Sequence, residues 1–512
     1  MIRSRRDFLE TLAASGAMVS ARALCRFRLP NDGISQEQIA ADPLRPQFHL
    51  LPAHHWMNDP NGPIYWKNNY HMFFQYNPNA AVWGDMHWAH AMSPDMIHWR
   101  HLPVALAPTA GGYDEAGCFS GSAVNDRGTA TILYTGVRTV SPEQATLRDG
   151  VHNFLEVQCL ATSGDDQLRT WQKLPQPVLF PPKDPNLTGF RDPFLLYSQN
   201  SWYLGVGSGI RKQGGRVLLY RSKDLRQWEY LHPLATGKSN GKQTSDPVDA
   251  GDMWECPDFF PLGGKHVLLY STERQVYWES GEFDPKVLVF HPEKSGLLDY
   301  GAFYAPKTQL DAQGRRILWG WITETRPEAQ FSAAGWAGCM SLPRVLTLAN
   351  DGTLQMAVIP EIARLRETEM SLPSQSAGET ARLEALKKIE FKGATAEIEL
   401  LIRDRAVRLS ISDGAQEIFG VALDPGCDRG TLHIGPAIVK CSSTVATTHR
   451  LGLLLDGSVV ECFLDDQVAW TSRTYRAPKS NLRIQIPQED LGAVQALRIW
   501  PLRPISPDRL TT

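Results

Sequence analysis

Ser93-Pro94-Asp95-Met96-Ile97-His98-Trp99 recurs later in the chain as Ser222-Lys223-Asp224-Leu225-Arg226-Gln227-Trp228, with Ser and Asp two apart and Trp four further on. A looser copy runs from Ser163 to Trp171. Each copy follows an apolar run that reads as a strand (87–92, 157–161 and 217–220). The copies lie about 60 to 70 residues apart, the spacing of propeller blades with long loops. Chance recurrence of a turn before a core tryptophan would give the same letters, so the repeat argues for radial architecture and for no particular chemistry. Its surroundings, from Pro52 to about Leu348, read as short strands closed by turns. Hairpins are expected at 64–75 about Asn68-Asn69, at 123–136 about Asn125 to Gly128, and at 259–270 about Gly263-Gly264.

Further along, 360–368 looks like a short helical connector. Alternating runs at 396–402, 407–411, 451–455, 459–464 and 482–486 read as strands of a β-sandwich with no catalytic cluster. The expected division is 1–23 export signal, 24–46 linker, 47–350 radial β domain, 351–372 connector and 373–512 sandwich. At 512 residues the chain is long enough for two such cores. A formal net charge of -3, with no run of like charge, gives no field for nucleic acid or a membrane surface, so a neutral or weakly charged partner is expected. Fifteen Trp and fourteen Tyr suit both propeller cores and the flat faces of sugars. The eight cysteines show no CxxC pair or zinc spacing and read mostly as buried thiols. Ser4-Arg5-Arg6-Asp7-Phe8-Leu9 before a short apolar stretch, with Ala21-Arg22-Ala23 as a cleavage site, fits a twin-arginine export signal; an ordinary basic tail is the alternative. No feature of the chain specifies an oligomeric state.

Three acidic runs could carry chemistry. Trp56-Met57-Asn58-Asp59-Pro60-Asn61-Gly62 has the composition of a tight turn, yet its acid lies between Trp56 and the aromatics Tyr65, Trp66 and Tyr70, where an apolar rim could stack a sugar. Gly189-Phe190-Arg191-Asp192-Pro193 reads either as an ion pair at a strand start or as an ionised acid held beside Arg191. In Trp254-Glu255-Cys256-Pro257-Asp258, burial of Glu255 between Trp and Cys would raise its pKa, as a general acid requires. Each acid opens a strand-like segment of a different expected blade. First strands of blades converge on the axial channel, so the three acids can meet there.

These runs resemble the three signature motifs of glycoside hydrolase family 32, the invertases, levanases and inulinases. The likeness extends through Phe74 to Pro78, Trp83-Gly84, Met86 to Trp88, Phe119 to Ser122, Asp299 to Ala305, Gly335 to Gly338, Leu455 to Glu461 and Thr471 to Tyr475, in order over nearly everything after Pro46. It implies an all-β protein, a five-bladed β-propeller followed by a C-terminal β-sandwich, that hydrolyses β-fructosides without metal or organic cofactor. By the resemblance, Asp59 is the nucleophile, Asp192 the acid that holds the fructosyl hydroxyls and steadies the transition state, and Glu255 the acid/base. Trp56, Asn58, Gln75, Trp83, Phe119, Ser120, Arg191, Tyr304 and Trp336 fall at sugar contacts.

Cys256 reads equally as a tuning neighbour of Glu255 or as a structural thiol. Pro257 is typical of cell-wall invertases among plant members. Glu273 and Arg274 lie where some invertases meet the glucose side of sucrose, although a solvated charge pair is the plainer reading. Phe194 stands where many relatives carry a polar residue. The stretches 113–118, 254–261 and 299–344 look closer to invertases, so sucrose is the favoured substrate. An exo-acting levanase or inulinase, a fructosyltransferase, and an inactive sugar-binding propeller are the competing readings.

Overall fold

The computed structural model describes residues 34–403, 405–424, 431–434, 437–440 and 448–510. The export signal expected at 1–23 lies outside the described residues. Five antiparallel sheets follow one another along the chain and form the blades of a propeller. Their innermost strands are His55–Trp66, Gly117–Asp126, Leu187–Ser198, Glu255–Leu262 and Phe303–Leu310. The ring closes where Trp336–Ala337, within the blade 5 segment, pairs in parallel with His55 and Trp56 of blade 1. Two six-stranded sheets then make the sandwich.

The Ser-x-Asp repeat is the corner between third and outer strands. Asp95, Asp165 and Asp224 each accept backbone N–H groups from the turn that follows, as at His98 N (2.9 Å), Gln167 N (2.8 Å) and Gln227 N (2.9 Å). Met96, Leu168 and Leu225 take positive φ of 64°, 55° and 62°. Trp99, Trp171 and Trp228 each return an indole N–H to the carbonyl of that residue. The corner is thus one hydrogen-bonded unit used three times.

Apolar seams between blades supply the core. Ile64, Trp66, Phe73 and Trp88 of blade 1 meet Ile132, Tyr134 and Val157 of blade 2, and Phe194 and Val217 of blade 3 meet Phe259 and Leu268 of blade 4. Phe194, the departure noted in the sequence, is a buried core residue here, its ring packed over Gly205, where a Cβ would overlap it. The hairpin of blade 1 turns at Lys67-Asn68, one residue earlier than expected, with Trp66 paired to Asn69. The last blade strand, Leu354–Val358, runs past the boundary expected at 350, and Met370–Ser371 already pairs with sandwich strand Val494–Pro501. The described part of the expected linker is packed structure. Ser35 and Gln38 cap the helix Gln36–Ala41 reciprocally, and Ile39 and Arg45 are buried.

A fully buried charge network ties this segment, the propeller and the sandwich together. Arg344 bonds Asp299 (2.9 Å) and Glu461 (2.6 Å), while His49 spans Asp456 (2.8 Å) and Glu461 (2.9 Å) with its two ring nitrogens. The two carboxylates raise the pKa of His49 against the opposing effect of burial, and Arg344 and His49 bring Glu461 down to about 2 despite its burial.

Candidate active site

In the innermost strand of every blade the ladder to the second strand is broken by a bulge, and the strands of blades 1 and 3 carry a second irregularity, between Asn61 and Ile64 and between Leu187 and Phe190. The residues at the bulge common to all blades are Asn58-Asp59-Pro60, Phe119-Ser120-Gly121, Arg191-Asp192-Pro193, Glu255-Cys256-Pro257 and Tyr304-Ala305-Pro306. Proline suits the site because it offers no N–H to the broken ladder. Asp192, Cys256 and Ala305 take positive φ there (62°, 48° and 54°). The bulges of the first four blades turn side chains into one pocket. Asp59, Ser120, Asp192, Cys256 and Ala305 hold equivalent positions, and Glu255 comes from the position that Asn58 and Arg191 hold in their blades.

A pocket opens there, lined by Asn58, Asp59, Gln75, Trp83, Met86, Phe119, Ser120, Arg191, Asp192 and Glu255. Asp59 accepts from Asn58 Nδ2 (3.0 Å) and Ser120 Oγ (2.7 Å). Asp192 accepts the Cys256 N–H at 2.9 Å, and its own N–H donates to Thr135 Oγ1 (3.0 Å). Glu255 Oε1 accepts from Arg191 Nη2 (3.0 Å) and Nε (3.3 Å), and Oε2 accepts from Tyr304 O–H (2.8 Å). Glu255 is buried as expected, with both carboxyl oxygens hydrogen-bonded.

Arg191 corrects the expected pairing with Asp192. Its short contacts go to Glu156 (2.8 Å) and Glu255, and Asp192 lies 3.9 Å from its Nε. Burial therefore dominates at Asp192 and pushes its pKa up to about 6; Arg191 opposes the shift, and Glu255 and Asp59 add to it.

Two further expectations change. Trp336 is 1 % exposed, donates to Asp42 Oδ2 at 2.8 Å and stacks under Arg326, so it braces the blade 5 segment and does not line the pocket. Tyr65, Trp66 and Tyr70 sit at the far end of the first hairpin, away from Asp59, because a strand running through the blade carries its two ends to opposite faces. Trp56 lies behind Asn58, bonding its Oδ1 (2.8 Å) and packing edge-on against Trp321. Gln75 Nε2 donates to the Cys118 carbonyl (3.0 Å), and Trp83 meets Phe119 edge-on. Glu273 and Arg274 form a turn in which Arg274 pairs with Asp249 (2.9 Å) and Glu273 faces Lys242 (3.8 Å).

Sequence reading missed Met86, Glu156 and the bulge repeat. Glu156 and Gln158, polar at alternate positions of the otherwise apolar 154–161 strand, were the signal for the first support of Arg191. The recurrence of x-x-Pro at the head of four innermost strands was the signal for the bulge.

The sequence profile of the Glycosyl hydrolases family 32 N-terminal domain matches residues 49–358. The chain belongs to glycosyl hydrolase family 32. Among relatives of this family 32 protein, "Sucrose-6-phosphate hydrolase" of Escherichia coli is 34% identical over 89% of this chain and 94% of its own length. "Raffinose invertase" of Escherichia coli is 39% identical over 84% and 89%. A mutant of the Bombyx mori GH32 beta-fructofuranosidase, solved in complex with sucrose, superposes with a TM-score of 0.75 at 30% identity, covering 92% of this chain and 97% of that one.

Proposed function

We propose that this family 32 protein is a retaining β-fructofuranosidase that releases terminal non-reducing β-D-fructofuranosyl units, with sucrose as its main substrate. The observation that carries the reading is the meeting of Asp59, Asp192 and Glu255, from three different blades, around one pocket. Asp59, stripped of bulk water and aligned by Asn58 and Ser120, attacks the anomeric carbon. Glu255 carries the proton to the departing oxygen and later takes one from the water that frees fructose. The Tyr304 hydroxyl and Arg191 orient its two oxygens separately, so one oxygen can face the leaving group while the other stays anchored. Asp192 receives the ring hydroxyls and strengthens those bonds as the ring gains oxocarbenium character. Trp83 and Phe119 offer faces for the sugar.

Incubation with sucrose, 1-kestose, inulin and levan in parallel tests this. Glucose and fructose in equal amounts from sucrose, with slower release from the fructans, is the expected result. Larger products would mark a fructosyltransferase, and no product from any of them would mark a binding protein. Glu255→Gln is expected to lower sucrose turnover by about 10²- to 10⁴-fold. Export through a twin-arginine signal at 1–23 belongs to the same proposal, supported by the paired Arg5 and Arg6 before Phe8 and Leu9. A folded reporter fused behind these residues should leave the bacterial cytoplasm only while Arg5 and Arg6 are intact.

A further inference from the structure

The mechanism above makes no use of a cation buried at the blade 4 bulge. Lys307, three residues after Tyr304 in the innermost strand of blade 5, is 2 % exposed, and its Nζ donates to the Pro257 carbonyl at 2.9 Å. That carbonyl belongs to the blade 4 bulge, where Glu255 pairs with Ser271 and Asp258 with Leu269, leaving Cys256 and Pro257 outside the ladder. The same bulge delivers the Cys256 N–H to Asp192 (2.9 Å) and the Cys256 Sγ to both Asp59 and Asp192 (3.5 Å each). Whatever fixes this peptide fixes a donor set on two of the three carboxylates.

Comparison between blades shows that charge is not needed for the bond itself. In blade 3 the corresponding carbonyl, that of Pro193, is held at 2.7 Å by the hydroxyl of Ser122, which occupies in blade 2 the place that Lys307 occupies in blade 5. Burying an ammonium where a hydroxyl would serve costs desolvation. That cost is offset where negative charge gathers, as it does here. Asp59 faces the cluster from blade 1, Glu156 from blade 2, Asp192 from blade 3 and Glu255 from blade 4, against the single guanidinium of Arg191. Asp258 beside the bulge is taken up by the Thr308 N–H and hydroxyl (both 2.7 Å), and Tyr304 donates to Glu255. Burial and the surrounding carboxylates keep Cys256 a thiol, with Lys307 acting in the opposite sense.

We propose that Lys307 is a positioning residue of the reaction: it pins the Cys256-Pro257 bulge so that the Cys256 N–H stays on Asp192, and it brings a second positive charge to the cluster, which favours the ionised form of Asp192. The catalytic part of this inference rests on the function proposed above; the electrostatic part does not. Loss of the cation destabilises the ionised Asp192 carboxylate, so its pKa rises and activity is lost at a higher pH on the acid side.

The test compares wild type with Lys307→Met and Lys307→Arg, with Lys307→Gln in reserve should the Met variant fail to fold. Sucrose kinetics from pH 4 to 8 are read together with titration of ¹³C-labelled aspartate carboxyls by NMR. The neutral variant should lose about tenfold in kcat with KM little changed, and the acid limb of kcat/KM and the Asp192 titration should both move up by roughly half to one pH unit. Lys307→Arg should restore the wild-type limb. A folded neutral variant with an unmoved Asp192 titration overturns the proposal. An enzyme without fructosidase activity overturns the functional reading instead, and the titration still decides the electrostatic claim.

Discussion

The Sγ of Cys256 stands 3.5 Å from Asp59 Oδ2 and 3.5 Å from Asp192 Oδ2. It reaches both because it fills, in blade 4, the bulge position that the two carboxylates fill in blades 1 and 3. A thiol is a weak donor, so it can face two carboxylates without neutralising either. Cys256→Ala is expected to fold normally and to lose about tenfold in kcat on sucrose, the scale of one weak hydrogen bond to a charged group. Steady-state kinetics beside a thermal melt will check this.

Asp192 sets function against stability. Its carboxyl is raised from 3.8 to about 6, chiefly by burial. A raised acid contributes stability that is fully present below the unfolded pKa and is lost as pH rises from about 4 through about 6, because the folded state then holds the proton that the unfolded chain releases. Asp192→Asn removes that ionisation cost. It should raise thermal stability at pH 7, by on the order of 1 to 3 kcal/mol, while abolishing most sucrose hydrolysis. Melting curves at pH 4 and pH 7 should show the gain only at the higher pH.

Trp83 and Trp336 should separate binding from bracing. Trp83→Ala removes a pocket wall and should raise KM for sucrose by about tenfold or more at nearly unchanged Tm. Trp336→Phe loses the bond to Asp42 and leaves a void, so it should cost about 1 to 3 kcal/mol of stability with KM close to wild type. Kinetics and chemical denaturation on both variants read out the difference.

The His49 network predicts alkaline loosening between the propeller and the sandwich. The pKa of His49 is raised by Asp456 and Glu461, so its contribution is complete below the unfolded histidine value and disappears as pH rises through the higher folded value. His49→Ala leaves two buried carboxylates short of a partner and should cost about 3 to 5 kcal/mol near neutral pH. The gap between wild type and variant should narrow on going alkaline, as followed by thermal unfolding.

Much of this was legible in the sequence because it is local. The Ser-x-Asp corner is written in side chains that bond their own turn, and the sandwich strands Thr395–Arg403 and Leu482–Gln485 are written in alternation, so reading along the chain finds both. Pattern alone could not place the aromatics around Asp59. Tyr65, Trp66 and Tyr70 are its neighbours in sequence, yet the strand carries them to the far end of the blade, whereas Phe119 and Trp83, distant in sequence, line the pocket.

By itself the sequence determined the radial β architecture, the three acids and their distribution over separate strands, since periodicity and residue type act over short spans. Only the tertiary structure decided what each charge faces: Arg191 turned to Glu156 and Glu255 and away from Asp192, Cys256 between two carboxylates, Lys307 under the bulge, Trp336 against Asp42. The reason is that ionisation and hydrogen bonding depend on distance and burial in space, which the tertiary fold sets among residues up to 294 positions apart.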